Sequence, residues 1–250
     1  MDWSKLRLVI NMAAMTSQRG RIAKRNLGAL VIGLSAVAGS GFAASPVESD
    51  LDAVVRYETR QVSKSGVTRV ESWQERMVRR SGVVWTERIL PKGVDIAHVH
   101  DTSQAISHRH LNLDNSARWL QKDATGKVDL RFVDQGERVV VSIPQAEFRT
   151  VGFDGKWEAA AYMVPPEMVA KMKPDGNGPN GAVWRRERDK EWSHRVLWSQ
   201  AKQVALQIES SKVDGTFTRT VTVTPSTRGA VLPWTVLAKY EKKTYDDYQD

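Results

Sequence analysis

The stretch VDLRFVDQGERVVVSI, residues 128–143, decides the fold class. Apolar side chains occupy every second position on both sides of a polar turn at residues 134–137. This period of two is typical of a strand with one covered face and one face in water. The alternating residues are Val128, Leu130, Phe132, Val139, Val141 and Ile143. Two such segments joined by a short polar turn predict an antiparallel hairpin.

The same period recurs on both sides of this hairpin. Further strands are predicted at residues 55–60, 67–78, 83–90, 205–210 and 216–224. Asp214-Gly215 lies between the last two, and this dipeptide favours a tight hairpin turn. The predicted fold class is therefore mainly β (α+β), an antiparallel sheet in a single domain over residues 44–250.

Few helices are expected. Asp114 or Asn115 is suited to cap a short helix over residues 115–120, because both side chains can accept a hydrogen bond from the first helical turn. A Pro-Pro-Glu start predicts a second helix over residues 168–173. The glycine- and proline-rich segment 173–181 predicts a mobile loop within the domain.

The N-terminal residues predict export. A basic cluster at residues 19–25 contains no acidic residue, and the apolar run 27–38 and a series of small residues follow it. This order is typical of a cleaved signal peptide, with the cut expected after Ala43. The apolar run has 12 residues, whereas a membrane-spanning helix needs about 20. Residues 1–43 are therefore interpreted as a signal peptide, and the periplasm as the location.

The charge of the chain argues against nucleic-acid binding. The whole chain has a net charge of +8, but residues 1–43 hold six of its 37 basic and one of its 29 acidic residues. The remainder carries only +3, and its basic residues alternate with acidic ones along the predicted strands. A nucleic-acid binder would concentrate them in one patch.

No catalytic machinery is recognisable. The chain has no cysteine, which excludes disulfides and thiolate chemistry. It also lacks a Gly-x-Ser-x-Gly elbow and a phosphate-binding glycine loop. Ser193 and His194 are neighbours in a predicted strand and so point to opposite faces. The prediction is a protein that is not an enzyme and has no cofactor.

Four of the five histidines lie close together, in two His-x-His pairs. On a strand, the two members of such a pair share a face, and two pairs in one hairpin would bring four imidazoles together. Such a set suits Cu(II), Ni(II) or Zn(II), although histidines in a loop are often merely solvated. An alternative function is therefore a periplasmic transition-metal-binding accessory protein that uses His98, His100, His108 and His110.

The chain also contains nine tryptophans, a large number for its length. They are consistent with a large aromatic core or with a cavity that holds an apolar ligand. The period of the sequence does not distinguish these two interpretations.

Two segments resemble a known superfamily. RVLWSQAKQVALQIESSKVDGT, residues 195–216, resembles the strand–turn–strand–hairpin segment of the lipoprotein-carrier (LolA-like) superfamily, which includes the N-terminal domain of MucB/RseB-type regulators. RRSGVVWTER, residues 79–88, resembles its opening strands. Ser199 departs from the pattern where an acid is common, and Ala205 where proline is common.

The resemblance implies a strongly curved antiparallel half-barrel with a few short helices on its concave side. An apolar cavity would lie between them, with the two predicted helices as its lid. The ligand-binding residues are then Met168, Val169, Met172 and Trp119. The predicted function is a periplasmic carrier or sensor for an acyl chain, a lipoprotein or an apolar segment of a partner protein, with peripheral contact to a membrane.

We expect the mature protein to start at Ala44 or within two residues of it. N-terminal sequencing of the protein from the cell envelope measures this directly. Protein released by osmotic shock that still carried residues 1–43 would contradict the prediction.

Overall fold

The computed structural model describes residues 48–91, 113 and 115–249. The predicted signal peptide and the four clustered histidines lie outside this part of the chain. The described part contains twelve strands: β1 (Leu51–Val62), β2 (Thr68–Arg80), β3 (Val83–Ile89), β4 (Ala117–Lys122), β5 (Val128–Asp134), β6 (Val139–Ile143), β7 (Lys173–Asn177), β8 (Val183–Arg188), β9 (Trp192–Ser199), β10 (Val204–Lys212), β11 (Phe217–Pro225) and β12 (Glu241–Thr244).

These strands form one open sheet in the order β12-β6-β5-β4-β3-β2-β1-β11-β10-β9-β8-β7. The pairings are antiparallel except for β12, which is parallel to β6. Strand β1 is central and pairs with β2 on one side and β11 on the other. The prediction of a mainly β protein with an antiparallel sheet is confirmed, and the sheet does not close into a barrel.

Helices are few and short in the described part. They are α1 (Trp157–Tyr162), α2 (Pro166–Lys171) and α3 (Tyr245–Gln249), with 3-10 segments at Gln145–Glu147, Pro179–Gly181 and Pro233–Lys239. No helix among the described residues is long and apolar enough to span a membrane.

The register divides the side chains between two faces. We call one the Arg79 face, because Arg79 lies on it beside Leu51 and Val84, its partners on β1 and β3. It carries most of the buried apolar side chains of the sheet. They are Leu51, Ala53, Val55, Met77, Val84, Leu120, Leu130, Phe132, Val141, Ile143, Val196, Ile208, Val221 and Val223.

The opposite face, which we call the Trp85 face, is covered differently. A second apolar cluster lies over β2 to β6 and includes Val78, Trp85 and Val133. The 3-10 segment Pro233–Lys239 packs on it through Leu237. Along β11 this face carries only threonines, which are half-buried or exposed.

Several predicted hairpins are present. β5 pairs with β6 and β10 with β11, as the period of two indicated. The Ser-Gly turn between β2 and β3 depends on Gly82, whose φ is +66°. A Cβ there would lie 3.0 Å from the carbonyl oxygen of Lys122, so only glycine fits without strain.

Two predicted elements are wrong. The short helix expected over residues 115–120 is not formed, because residues 117–122 are strand β4 between β3 and β5. The segment 173–181, predicted as a loop, contains strand β7 and a 3-10 turn. β7 is an edge strand, where Pro174 is tolerated because one side of the strand needs no hydrogen-bond partner.

A single buried arginine joins the sheet to helix α1; we call α1 and the helix that follows it, α2, the helical cover. Arg79 has no exposed surface. Its Nε donates to the carbonyl of Ser49. One Nη donates to the carbonyls of Ala161 and Gln203. The other Nη donates to Ser49 Oγ and to the carbonyl of Lys202, and the five distances are 2.6–3.1 Å. All five N–H groups of the guanidinium therefore have acceptors.

We expect Arg79→Leu to lower the free energy of unfolding by about 3 kcal/mol, because it leaves several shielded carbonyl groups without donors. Urea denaturation monitored by tryptophan fluorescence measures the change. Arg69→Leu on the same strand is the control, since Arg69 is largely exposed in its ion pair with Glu71 and such pairs contribute less than about 1 kcal/mol. Equal losses in the two variants would contradict a special role for Arg79.

Candidate functional site

The Arg79 face changes from apolar to polar along the strands. One row across the sheet consists of Val196, Ile208, Val221, Tyr57 and Trp73, which are partners in the register of β9, β10, β11, β1 and β2. The row two residues further along consists of His194, Ser210, Arg219, Thr59 and Glu71. The first four of these polar residues are buried. Buried polar groups beside an apolar surface need a specific physical reason.

Four side chains at this boundary form what we call the aromatic–arginine cluster: Tyr57, Trp73, Arg88 and Arg219. The rings of Tyr57 and Trp73 stack with their centroids 4.9 Å apart. The guanidinium carbon of Arg219 lies 5.5 Å from the Tyr57 centroid and 5.7 Å from that of Trp73. That of Arg88 lies 5.2 Å from the Trp73 centroid. The cluster thus holds two cations against aromatic faces, at distances where cation–π attraction operates.

The carboxylates near the cluster are already engaged. The Tyr57 hydroxyl donates to Glu75 Oε2 at 3.1 Å, and Arg118 Nη2 lies 3.8 Å from the same oxygen. Burial and the nearby Glu75 carboxylate raise the pKa of Tyr57 far above its usual value, so this phenol stays protonated. Glu71 is ion-paired with Arg69 at 2.6 Å.

Arg219 is left without such a partner. Only 7 % of its surface is exposed, and it forms no hydrogen bond or ion pair with the described residues. Its Nε is fully shielded and has no acceptor. Burial lowers its pKa, while the Tyr57 hydroxyl and the Glu75 and Glu71 carboxylates act in the opposite direction. A guanidinium remains protonated in proteins, so this is a buried positive charge whose contacts with the described residues are with aromatic rings and not with acceptors.

His194 and Ser210 form a second polar contact in the same row. His194 Nδ1 lies 3.0 Å from Ser210 Oγ, and the imidazole stacks on Trp192. Each of the two side chains has 3 % of its surface exposed. The hydroxyl is therefore not presented to a substrate in this arrangement, and the contact is typical of a structural hydrogen bond.

The helical cover is fixed to the Arg79 face by a second polar group. Glu48 Oε1 accepts hydrogen bonds from Lys122 on β4 at 2.9 Å, from Trp157 of α1 at 2.6 Å and from Tyr162 of α1 at 3.2 Å. Burial opposes ionisation of Glu48, but the hydrogen bonds from Lys122 and Trp157 outweigh it and hold the Glu48 pKa below its ordinary value. Glu48, an anion, and Arg79, a cation, thus both join α1 to the sheet.

The structure separates the predicted ligand-binding residues. Val169 and Met172 are buried and Met168 is half-buried, which fits the expectation that one side of α2 is covered. Trp119, however, lies on β4 on the Trp85 face, opposite Trp85 in the register and packed against the second apolar cluster. It is therefore not part of the helical cover. Binding by the other three remains a prediction.

The predicted metal ligands His98, His100, His108 and His110 lie outside the described residues. Within residues 48–91 and 115–249, no group of histidine, aspartate and glutamate side chains is arranged to hold a metal ion.

Two clefts are formed by described residues. One, of about 470 Å³, is lined by the β4–β5 turn and the start of α1, including Lys122, Thr125 and Glu158. The other, of about 130 Å³, lies between Asp50, Arg80 and Arg228. The first is lined mainly by polar surface and the second is smaller than the usual ligand pocket, so neither has the character of a site for an apolar chain.

Arg219 is not among the predicted site residues, although its position along β11 carries a signal. In the alternation of β11, Arg219 points to the same face of the sheet as the apolar residues Phe217, Val221 and Val223. An arginine in the apolar phase of a strand is expected to lie on the covered face.

Comparison with known proteins gives structural similarity only. No protein-family model and no curated protein matches the chain. Similar solved structures include a domain assigned to outer membrane lipoprotein sorting from Vibrio parahaemolyticus, with 11% identity, a TM-score of 0.28, and coverage of 80% of this chain and 92% of that chain. A LolA superfamily protein from Nitrosomonas europaea has 8% identity, a TM-score of 0.28, and coverage of 78% and 92%. A DUF1329 family protein from Desulfovibrio piger has 8% identity, a TM-score of 0.32, and coverage of 77% and 92%.

Proposed function

We propose that the protein is a periplasmic binding protein, a carrier or sensor for an acyl chain, a lipoprotein or an apolar segment of a partner protein. The observation that carries this proposal is the cover of the Arg79 face. Two very short helices lie close together in the chain, and the first is fastened to an apolar sheet surface by polar groups at two points.

The cover is suited to move as a unit. α1 and α2 have six residues each, and helices of this length are not stable in water by themselves. The buried side chains of α1 and α2 include Trp157, Tyr162 and Val169, and Met172 directly after α2 is also buried. An acyl chain in their place would keep the apolar face of the sheet away from water, so the exchange loses little of the hydrophobic stabilisation.

The side chains of α2 fit a variable apolar ligand. Met168 lies in α2, and Met172, four residues later, directly follows the last helical residue in extended backbone. Methionine is flexible and repacks around different shapes. Met168 is half-buried, so part of its side chain is accessible to a ligand.

The side chains that could take part in catalysis are buried or already hydrogen-bonded, which favours binding over catalysis as the function. The Ser210 hydroxyl and His194 imidazole are buried in a mutual contact. Glu48 and Glu75 are held by hydrogen bonds or ion pairs with neighbouring side chains. The proposal is therefore a binding protein without catalytic activity, and the signal peptide predicted for residues 1–43 supports its periplasmic location.

We expect the protein without residues 1–43 to bind the neutral fluorescent probe N-phenyl-1-naphthylamine, and Met168→Glu to weaken that binding about tenfold, or about 1.4 kcal/mol. A carboxylate at this half-buried position would have to lose water when the probe enters. The thermal midpoint should fall by no more than about 2–4 °C, which corresponds to about 1 kcal/mol for a domain of this size.

Ala170→Glu is the matched control, because it places the same charge on the exposed side of α2. It should leave both probe binding and the thermal midpoint unchanged. If the unmutated protein bound no probe and Met168→Glu lowered the midpoint steeply, α2 would be part of a packed core and the proposed function would be wrong.

A further inference from the structure

Arg219 is the buried group that nothing described so far explains. Arg79, on the same face, has acceptors for all five of its N–H groups. Arg219 has none among the described residues, and its Nε is shielded without an acceptor. A buried charge without hydrogen bonds destabilises a fold, so a residue that serves stability alone would not be expected to have this arrangement.

The surroundings of Arg219 favour an anion. Its guanidinium lies over the aromatic faces of Tyr57 and Trp73, which orient it without satisfying its donors. Glu75 and Glu71 share this face, but they are engaged with Arg118 and Arg69. A second cation, Arg88, lies against the same tryptophan.

The position of Arg219 also fits one end of an elongated ligand. Its neighbour one row away on the same strand is Val221, which is buried with Ile208 and Val196 in the apolar row. Tyr57 and Trp73, both half-buried, continue the row of Val221 onto β1 and β2. A chain lying on the apolar row would bring a polar end group to Arg219.

We propose that Arg219 binds an anionic oxygen group, a carboxylate or a phosphate, at the end of an apolar chain that lies along the Arg79 face. The planar guanidinium presents paired N–H donors that match two oxygens of such a group. Tyr57 and Trp73 contact the first part of the chain. This inference rests on the proposed function and specifies the chemical class of its ligand.

The test compares two ligands with the same chain, myristate and tetradecanol, in displacement of N-phenyl-1-naphthylamine. The unmutated protein should bind myristate at least tenfold more tightly. Arg219→Met should remove this preference while leaving tetradecanol binding unchanged. Arg60→Gln, an exposed arginine opposite Thr218 on the other face of the sheet, should keep it.

Thermal unfolding separates binding from a structural role. Because Arg219 is buried without hydrogen bonds, Arg219→Met should melt at the same temperature as the unmutated protein or a few degrees above it. A fall in the melting temperature with the preference for myristate retained would overturn the inference and assign Arg219 to the core.

The remaining outcomes distinguish the inference from the proposed function. Equal binding of myristate and tetradecanol by the unmutated protein would overturn the anion site and leave a carrier of neutral chains. Calorimetric binding of inorganic phosphate that is lost in Arg219→Met would support the anion site. If neither chain displaced the probe in that case, the ligand would be a free anion and the proposed function would fail instead.

Discussion

The guanidinium of Arg79 ties together four parts of the chain that are distant in sequence. Its five donors reach Ser49 before β1, Ala161 in α1 and the turn at residues 202–203 between β9 and β10, while its own backbone belongs to β2. Neutral carbonyl and hydroxyl oxygens satisfy the charge by hydrogen bonding, and burial still lowers its pKa. Since hydrogen bonds of charged groups contribute more than neutral ones, the position of α1 over the sheet depends strongly on this one side chain.

This way of fastening the cover affects how the rest of the Arg79 face behaves. An apolar core that is closed by interlocking side chains resists change, because every displaced atom leaves a void. Under the proposed function, a cover fixed by Arg79 and Glu48 separates from the sheet when these polar groups exchange partners, and a ligand replaces its apolar contacts. The polar anchors then fix the position of the cover, while the hydrophobic stabilisation comes from either the cover or a ligand.

The period of two predicted most of the sheet because it reports the local environment of each strand. β5, β6, β10 and β11 were predicted for this reason. It failed at residues 117–122, where neither the period nor the helix propensity of Ala, Leu, Gln and Lys was decisive, and where pairing with β3 and β5 determines the outcome. It also failed at β7, because a proline and a glycine in an edge strand look like a loop in sequence.

The candidate site was harder to predict than the fold, and the two arginines show why. Arg79 and Arg219 both lie in the apolar phase of a strand, beside Met77 and Val221 respectively, so sequence places both on the covered face. The two side chains differ in the hydrogen-bond acceptors that lie within reach of the guanidinium. Arg79 meets backbone carbonyls brought from α1 and from the β9–β10 turn, whereas Arg219 meets the rings of Tyr57 and Trp73. The acceptors within reach depend on the tertiary arrangement, which distinguishes an arginine that joins parts of the fold from one that we propose binds a ligand.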